Sequence, residues 1–274
     1  MKILLALNAL AFEKAQLDYA AYIAELTNSE ITILFLENTS VIHAPFSKYG
    51  HLGGYQLSEE ESNESKKEII NKNIEAYKQL CTEKNLNGNL LRARGIPKDE
   101  TIEASRFADL LMISHDLSFA TCYEETPTKF VEDVLAGTQC AVLVMPKTMQ
   151  EIKEMVFTCN GSFASMFSIR QFTYLFPKLK DRKFTLLYVL ENPDEETTHK
   201  KYIKRIHASP LQNWEFKLLM GNSSAAILSH LSKQRDCVVT FGAYGRSQFS
   251  RFFKKSEAES VISTLDMPVF ITHP

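Results

Sequence analysis

The segment FVEDVLAGTQCAVLVMP, residues 130–146, has a counterpart near the end of the chain, EAESVISTLDMPVFITH at residues 257–273. In both segments a helical pattern is followed by a short apolar run that is accompanied by a proline. A second matching pair lies earlier, with ITILFLEN at residues 31–38 and FTLLYVLEN at residues 184–192. We therefore expect the chain to contain two copies of one folding unit.

Within each copy, short apolar runs alternate with longer stretches of helical periodicity. Strands that alternate with helices imply a parallel sheet with right-handed crossovers, and nearly continuous apolar strands imply that both faces of the sheet are covered. We predict an α/β fold of two tandem doubly wound, Rossmann-like domains, each with a five-stranded, mostly parallel sheet and helices on both faces. The predicted strands are 3–7, 31–36, 90–93, 110–113, 141–145, 155–159, 184–190, 216–219, 237–241 and 269–272, and the predicted helices surround 17–24, 70–81, 99–107, 130–135, 164–175, 195–207, 223–232 and 256–265.

The repeat predicts a first domain at residues 1–147 and a second at residues 151–274, with the polar segment Lys147–Glu151 as the linker. The alternative is one large doubly wound sheet whose halves are similar by accident. A long excursion, Asn38–Ser65, interrupts the first copy and has only a short turn as its counterpart. Such a segment either has a function or is a mobile surface loop, and the sequence does not decide between the two.

Composition narrows the class of protein. The chain has 274 residues, a formal net charge of −2 and five cysteines without a C-x-x-C pair. These values favour a reduced, cytoplasmic protein and give no attraction to nucleic acid or to anionic membranes. No apolar run approaches the roughly 18 residues of a membrane span. The apolar start of the chain has a faint likeness to a secretory signal, but we interpret it as a buried strand that leads into a helix.

The strongest chemical signal is a glycine-containing loop, FGAYGRSQFSRFFKKSEAESVI at residues 241–262. Gly242 and Gly245 follow an apolar strand, and glycine lets backbone N–H groups approach a phosphate closely. A helix is predicted to begin at Ser256, and a helix N-terminus offers unpaired N–H donors to the same anion. Arg246 and Lys255 add positive charge. The loop therefore predicts an anion-binding turn, or alternatively a tight connection without a ligand.

This loop resembles a motif of the universal stress protein family, in which G-x-x-G is followed nine residues later by glycine and a hydroxyl residue. Gly242 and Gly245 match the first part, Ser256 matches the hydroxyl position, and Lys255 stands where the family has the third glycine. The turn that opens each copy also resembles the family, and the resemblance extends over nearly the whole chain, twice. The sequence is thus similar to a tandem universal stress protein, which implies a role in the stress response.

The resemblance further implies an adenine nucleotide site in the second domain, formed by Asn160, Gly161, Val189 and the glycine loop. ATP or AMP would be the ligand, with Mg²⁺ accompanying ATP. Two departures bear on this expectation. Asn8 and Asn160 replace an aspartate that lies near the adenine and ribose in nucleotide-binding members, and Lys255 either closes the cradle or pairs with a phosphate. The first domain lacks the glycine loop and is predicted to have a degenerate site.

In the family, subunits pair through their last strands in antiparallel orientation. The resemblance therefore implies that the two copies form an intramolecular pseudo-dimer, which would also hide two exposed strand edges. Whole chains could associate further as a homodimer, and the sequence identifies no protein partner.

Other functions require features that the sequence does not provide. An ATP-splitting enzyme needs a carboxylate pair near the loop, and none can be identified, so we predict a binding protein or a nucleotide-independent interaction scaffold rather than an enzyme or a flavoprotein. His115 and Asp116 are adjacent, but no histidine pair has the spacing of a zinc motif, so no metal site is predicted. Ser162 is interpreted as a helix cap, and Cys159 and Cys237 as packing residues.

Overall fold

The computed structural model contains ten strands and seven α-helices in the residues that it describes, which are 1–11, 13–39, 59–84, 86, 88–191, 213–242 and 256–274. The strands are β1 (Lys2–Asn8), β2 (Glu30–Asn38), β3 (Gly88–Gly95), β4 (Leu110–Ser114), β5 (Ala141–Met145), β6 (Glu154–Thr158), β7 (Lys183–Leu190), β8 (Trp214–Met220), β9 (Cys237–Gly242) and β10 (Val269–Thr272). The helices are α1 (Lys14–Thr27), α2 (Glu59–Glu83), α3 (Pro97–Ser105), α4 (Lys129–Gly137), α5 (Phe163–Leu175), α6 (Ser223–Leu231) and α7 (Glu257–Thr264).

All ten strands form one sheet, in the order β3-β2-β1-β4-β5-β10-β9-β6-β7-β8. Counted from its own first strand, each half has the same order, 3-2-1-4-5, and the pairs within each half are parallel. This confirms the predicted α/β fold with two doubly wound halves. A single doubly wound sheet would not repeat this order. The exact division at residues 147 and 151 stays a prediction.

The two halves meet at the last strand of each. β5 and β10 pair antiparallel, with Val142 opposite Ile271 and Val144 opposite Val269. The two strands that would otherwise be exposed edges at this place therefore hydrogen-bond to each other inside one chain. The edges of the combined sheet are β3 and β8.

Side chains of the central strands pack alternately into two core layers, one on each face of the sheet. In β1, Ile3, Leu5 and Leu7 contribute to the layer under α1, α2 and α5, whereas Leu4 and Ala6 contribute to the layer under α3, α4, α6 and α7. This alternation follows from the two-residue period of a strand. It explains why the sequence of such a strand is apolar at every position.

An aromatic cluster lies in the first of these layers, next to the β5–β10 pair. Phe270 of β10 is fully buried, and its ring centroid lies 5.1 Å from that of Phe172 and 6.1 Å from that of Phe176. Both contacts are edge-to-face, an arrangement that aromatic rings favour. The cluster attaches α5 to the strand that joins the halves.

The segment between the halves is held by polar contacts. The backbone N–H of Lys147 donates to Oδ1 of Asp266 at 2.6 Å, and the Thr148 hydroxyl donates to Oδ2 of the same carboxylate at 2.6 Å. The N–H of Ile152 donates to the Tyr22 hydroxyl at 2.8 Å. The predicted linker is therefore fixed to both halves.

Two predictions concern parts of the chain that are described incompletely. The excursion predicted for residues 38–65 is shorter than expected, because α2 begins at Glu59. Acidic residues are favoured in the first turn of a helix, and Glu59, Glu60 and Glu61 lie within the predicted excursion but begin α2 in the structure. Residues 40–58 and the predicted helix 195–207 lie outside the described residues.

We expect Phe270→Ala to lower the free energy of unfolding by about 3–5 kcal/mol, since it removes a large buried ring from the cluster beside β5 and β10. Urea unfolding followed by far-UV circular dichroism measures the loss. Tyr174→Ala is the control, because that side chain is 78% exposed on α5. Equal effects of the two substitutions would contradict this account of the core.

Candidate functional site

The candidate site lies where the strand order of the second half reverses. β6 lies between β9 and β7, and the chain runs outward from β6 to β8 before it returns to β9. Ligands of open α/β sheets bind at such points, beyond the carboxyl ends of the strands. A pocket of about 60 Å³ opens at this place. Its lining consists of Thr158, Cys159, Asn160, Ser165, Leu187, Val189, Ser223, Ile227, Phe241, Gly242 and Glu257.

The lining combines an apolar floor with a polar rim. Leu187, Ile227 and Phe241 belong to the buried core layer under α6 and α7. The polar groups come from the end of β6 and the turn after it, from the first turn of α5, and from the first residues of α6 and α7. An apolar cleft with a few convergent polar groups is typical of sites for small organic ligands. The described part of the pocket has room for about two water molecules, and a larger ligand would extend out of its open side.

The turn after β6 is held by hydrogen bonds among its own residues. Oδ1 of Asn160 accepts a hydrogen bond from the N–H of Ser162 at 3.1 Å, which closes an Asx turn. Gly161 has a φ of 77°, a conformation that favours glycine. The Ser162 hydroxyl accepts from the N–H of Ser165 at 3.2 Å, so the predicted cap of α5 is confirmed. The side-chain oxygen of Asn160 therefore stabilises the turn.

Gly242 ends β9 directly beneath the first turn of α5. A Cβ atom at this position would lie 2.0 Å from the backbone oxygen of Ala164 and 2.5 Å from the backbone nitrogen of Ser165. Both are main-chain atoms of a helix, so neither can move aside cheaply. This contact alone accounts for a glycine at position 242, because no other residue lets the helix lie so close to the sheet.

We expect Gly242→Ala to destabilise the protein by about 3 kcal/mol or more, because the added methyl group overlaps helix backbone. Gly95→Ala is the matched control at the end of β3. There the new Cβ would meet only the side chain of Glu100, which can rotate away. Thermal unfolding of both variants tests the difference, and a Gly242→Ala protein as stable as Gly95→Ala would rule out the contact.

The third wall of the pocket is the start of α7. Ser256 caps this helix as predicted, with its hydroxyl accepting from the N–H of Glu259 at 3.1 Å. Glu257 is the first helical residue and lines the pocket, where its carboxyl group is half-buried. Burial raises the pKa of Glu257, and the nearby charge of Glu191 raises it further, while a hydrogen bond from Ser223 acts in the opposite direction.

Ser223 also lines the pocket, and Glu191 is bonded to it. The Glu191 carboxylate follows β7 and accepts hydrogen bonds from the Ser223 hydroxyl at 2.5 Å and from the Ser223 N–H at 3.1 Å. These bonds lower the pKa of Glu191. The two carboxyl groups thus differ: Glu191 is exposed and is stabilised as the anion, whereas Glu257 resists ionisation.

The sequence analysis named part of this site and missed part of it. Asn160, Val189 and Gly242 all line the pocket, and Gly161 and Ser256 are neighbours of lining residues. Glu191, Ser223 and Glu257 were missed as site residues, although each directly follows a predicted strand or begins a predicted helix. The carboxylate pair that could not be identified in the sequence is therefore present beside the pocket. Gly245, Arg246 and Lys255 lie outside the described residues.

We expect Glu257→Gln to stabilise the folded protein at neutral pH but not at about pH 4. The pKa of Glu257 is raised in the folded state. The folded protein therefore loses the stability that the protonated carboxyl group contributes as the pH rises through this pKa. A neutral glutamine avoids that loss. The melting temperature of the variant minus that of the original protein should therefore increase with pH and then level off. A difference in melting temperature that is constant with pH would contradict a raised pKa of Glu257.

The corresponding place in the first half is organised differently. Nδ2 of Asn8 donates to the backbone oxygen of Ser118 at 3.0 Å, so the loop after β4 is held against the turn after β1. The same loop is anchored by buried Leu117, whose carbonyl accepts from the Thr128 hydroxyl at 2.5 Å. Thr128 caps α4, and Lys129 follows it. The backbone of this loop therefore accepts the hydrogen bond that the Asn8 amide would otherwise offer to a ligand.

The two cysteines that were interpreted as packing residues, Cys159 and Cys237, occupy buried positions in the structure. This burial raises the pKa of Cys159 and raises that of Cys237 to about 12, so both remain protonated packing residues. All five cysteines are free.

Within the described ranges, no group of three or more His, Cys, Asp or Glu side chains could hold a metal ion. No helix in the same part of the chain has the length and apolar character needed to cross a bilayer.

Known structures share this architecture. A universal stress protein from Archaeoglobus fulgidus DSM 4304 superimposes with a TM-score of 0.75 and 17% sequence identity, over 99% of this chain and 96% of that chain. A putative universal stress protein from Pseudomonas aeruginosa UCBPP-PA14 gives a TM-score of 0.59 and 14% identity, over 100% of this chain and 93% of that chain. No family model and no curated protein matches the sequence. The chain therefore has the fold of the universal stress proteins.

Proposed function

We propose that this chain is a universal stress protein-like, stress-response protein of the cytoplasm that binds an adenine nucleotide in its second half. The observation that carries the proposal is the pocket at the carboxyl ends of β6, β7 and β9. It brings together Asn160, Val189 and Gly242, three residues that the family resemblance had selected independently of the structure. The apolar floor suits a flat base, and the polar rim suits a sugar.

The anion-binding part of the proposal depends on the N-terminus of α5, which begins after the Asx turn at Asn160. Unpaired N–H groups at such positions attract negatively charged groups. ATP or AMP is the proposed ligand, with Mg²⁺ accompanying ATP, and Gly245, Arg246 and Lys255 are proposed to contribute from the loop between β9 and α7.

We also propose that the chain binds rather than converts its ligand. A carboxylate can activate water as a general base, but for this it must be free to accept the proton. Glu191 is instead engaged by two hydrogen bonds from Ser223 at the start of α6. Ser162, the hydroxyl considered as a nucleophile, serves as the cap of α5.

A thermal-shift measurement tests nucleotide binding. A ligand that binds only the folded state raises its melting temperature, by about 3–8 °C at concentrations of about 10 to 100 times Kd. We expect this rise with AMP or ATP, and we expect Val189→Phe to abolish it, because the larger side chain fills the pocket. Glycine 242 is unsuitable for this test, since its substitution disturbs the contact with α5.

Met220→Phe is the matched control for the Val189 variant. It introduces the same ring at the end of β8, where the side chain is 59% exposed and outside the pocket lining. This control should keep the full nucleotide response. If the unmodified protein shows no shift at millimolar nucleotide, the proposal of nucleotide binding fails.

A nucleotide-independent interaction scaffold is the second candidate. One observation favours it: the outer face of α5 carries Phe163 and Tyr174, which are 69% and 78% exposed, and Phe167, whose ring lies 6.1 Å from that of Phe163. Rows of exposed aromatic side chains are more typical of protein interfaces than of free surface. A folded protein that does not respond to nucleotide would leave this function as the better account.

A further inference from the structure

The negative charge of the pocket wall disfavours a ligand that carries several phosphate groups. Glu257 stands at the first position of α7, where the free N–H groups of that helix would otherwise meet an anion. Its carboxyl group lines the same pocket as Asn160 and Gly242. A phosphate placed at this helix N-terminus would therefore approach a carboxylate of the same sign.

The second carboxylate strengthens the effect. Glu191 is hydrogen-bonded to Ser223, which lines the pocket together with Glu257, and the charge of Glu191 raises the pKa of Glu257. Glu191 itself is held as an anion by Ser223. Any phosphate that enters next to Glu257 meets the field of both. Two unit charges at about 4 Å repel each other by about 1 to 4 kcal/mol, depending on how much water lies between them.

The first half shows that the fold does not require an acidic residue here. There the cap of α4 is Thr128, and the residue that follows it is Lys129, which pairs with Asp133 at 2.6 Å. The second half has Ser256 followed by Glu257 at the equivalent step from cap to helix. The charge at the first helical position is thus opposite in the two halves, although the cap geometry is the same.

The same wall is well suited to an uncharged sugar. Carboxylate oxygens accept hydrogen bonds from hydroxyl groups, and the Ser223 hydroxyl can accept one as well. In doubly wound folds, an acidic residue beside the cleft commonly binds ribose hydroxyls. Glu257 and Ser223 line the pocket next to the apolar floor formed by Leu187 and Ile227, and Glu191 accepts a hydrogen bond from the Ser223 hydroxyl behind it.

We propose that Glu257 sets the charge preference of this pocket, so that it binds adenosine more tightly than AMP and AMP more tightly than ATP. The proposal rests on the proposed function, because it names the preferred member of the same ligand class. It also makes binding of the phosphorylated ligands dependent on pH. The repulsion is present when Glu257 is ionised and disappears as the pH falls through its pKa.

Isothermal titration calorimetry at about pH 8, without Mg²⁺, tests the preference with adenosine, AMP and ATP. We expect Glu257→Gln to bind ATP about tenfold more tightly than the unmodified protein does, while adenosine binding stays equal or weakens. As the pH is lowered the gain for ATP should shrink, because Glu257, whose pKa is raised by burial, takes up a proton in the unmodified protein. Contributions from Arg246 and Lys255 are common to both proteins and cancel in the comparison.

Two controls make the result specific. Glu103→Gln removes one negative charge from an exposed position on α3 of the first half and should leave all three affinities unchanged. Glu257→Ser removes the charge with a smaller side chain, and it should reproduce the gain for ATP. The melting curves of all variants establish that they are folded.

The outcomes separate the two proposals. If the unmodified protein binds ATP more tightly than adenosine, or if Glu257→Gln leaves its affinity for ATP unchanged, the charge preference is wrong and nucleotide binding stands. If no ligand binds to any variant, nucleotide binding is wrong and the preference falls with it. A gain for ATP that is equally large in Glu103→Gln would show a general charge effect and would also overturn the role of Glu257.

Discussion

The antiparallel pair of β5 and β10 is the contact on which the rest of this structure depends. It is short, with three residue pairs between Val142–Val144 and Val269–Ile271, but it turns two five-stranded sheets into one of ten. Both strands are buried along their whole length, so neither could remain as an edge without exposing apolar surface and unpaired backbone groups. The aromatic cluster around Phe270 and the contacts of Asp266 to the linker stabilise this pairing from within the same chain.

The second constraint acts at the pocket. Gly242 allows α5 to lie almost in contact with β9, and this position brings the turn at Asn160 over the carboxyl ends of the strands. The same glycine is thus required by the fold before any ligand is considered. Motifs of this kind combine structural and functional demands, and their presence alone does not distinguish the two. The chemical character of the pocket depends on the residues around the glycine, and in our proposal mainly on Glu257.

The sequence predicted the fold well because the relevant signals are local and repeated. Runs such as Ile3–Leu7 and Val269–Thr272 have one structural interpretation in an alternating α/β pattern, and the helix caps Ser162 and Ser256 were identified by residue type and position. The start of α2 was placed too late, since acidic residues before a helical pattern fit a loop and a first turn equally. The Glu191–Ser223–Glu257 wall could not be predicted. Its members come from three separate elements, and only the packing of α6 beside α7 at the end of β7 brings them together.

The orientation of the central pair has a geometric consequence. Because β5 and β10 run in opposite directions, all strands of the first half point one way and all strands of the second half point the other. The turn at Asn8 and the pocket at Asn160 therefore occupy opposite rims of the sheet, separated by the length of the strands. Among the described residues the two rims differ: at one, the Asn8 amide is bonded to the loop after β4, and at the other, Asn160 lies beside a pocket that Glu257 lines.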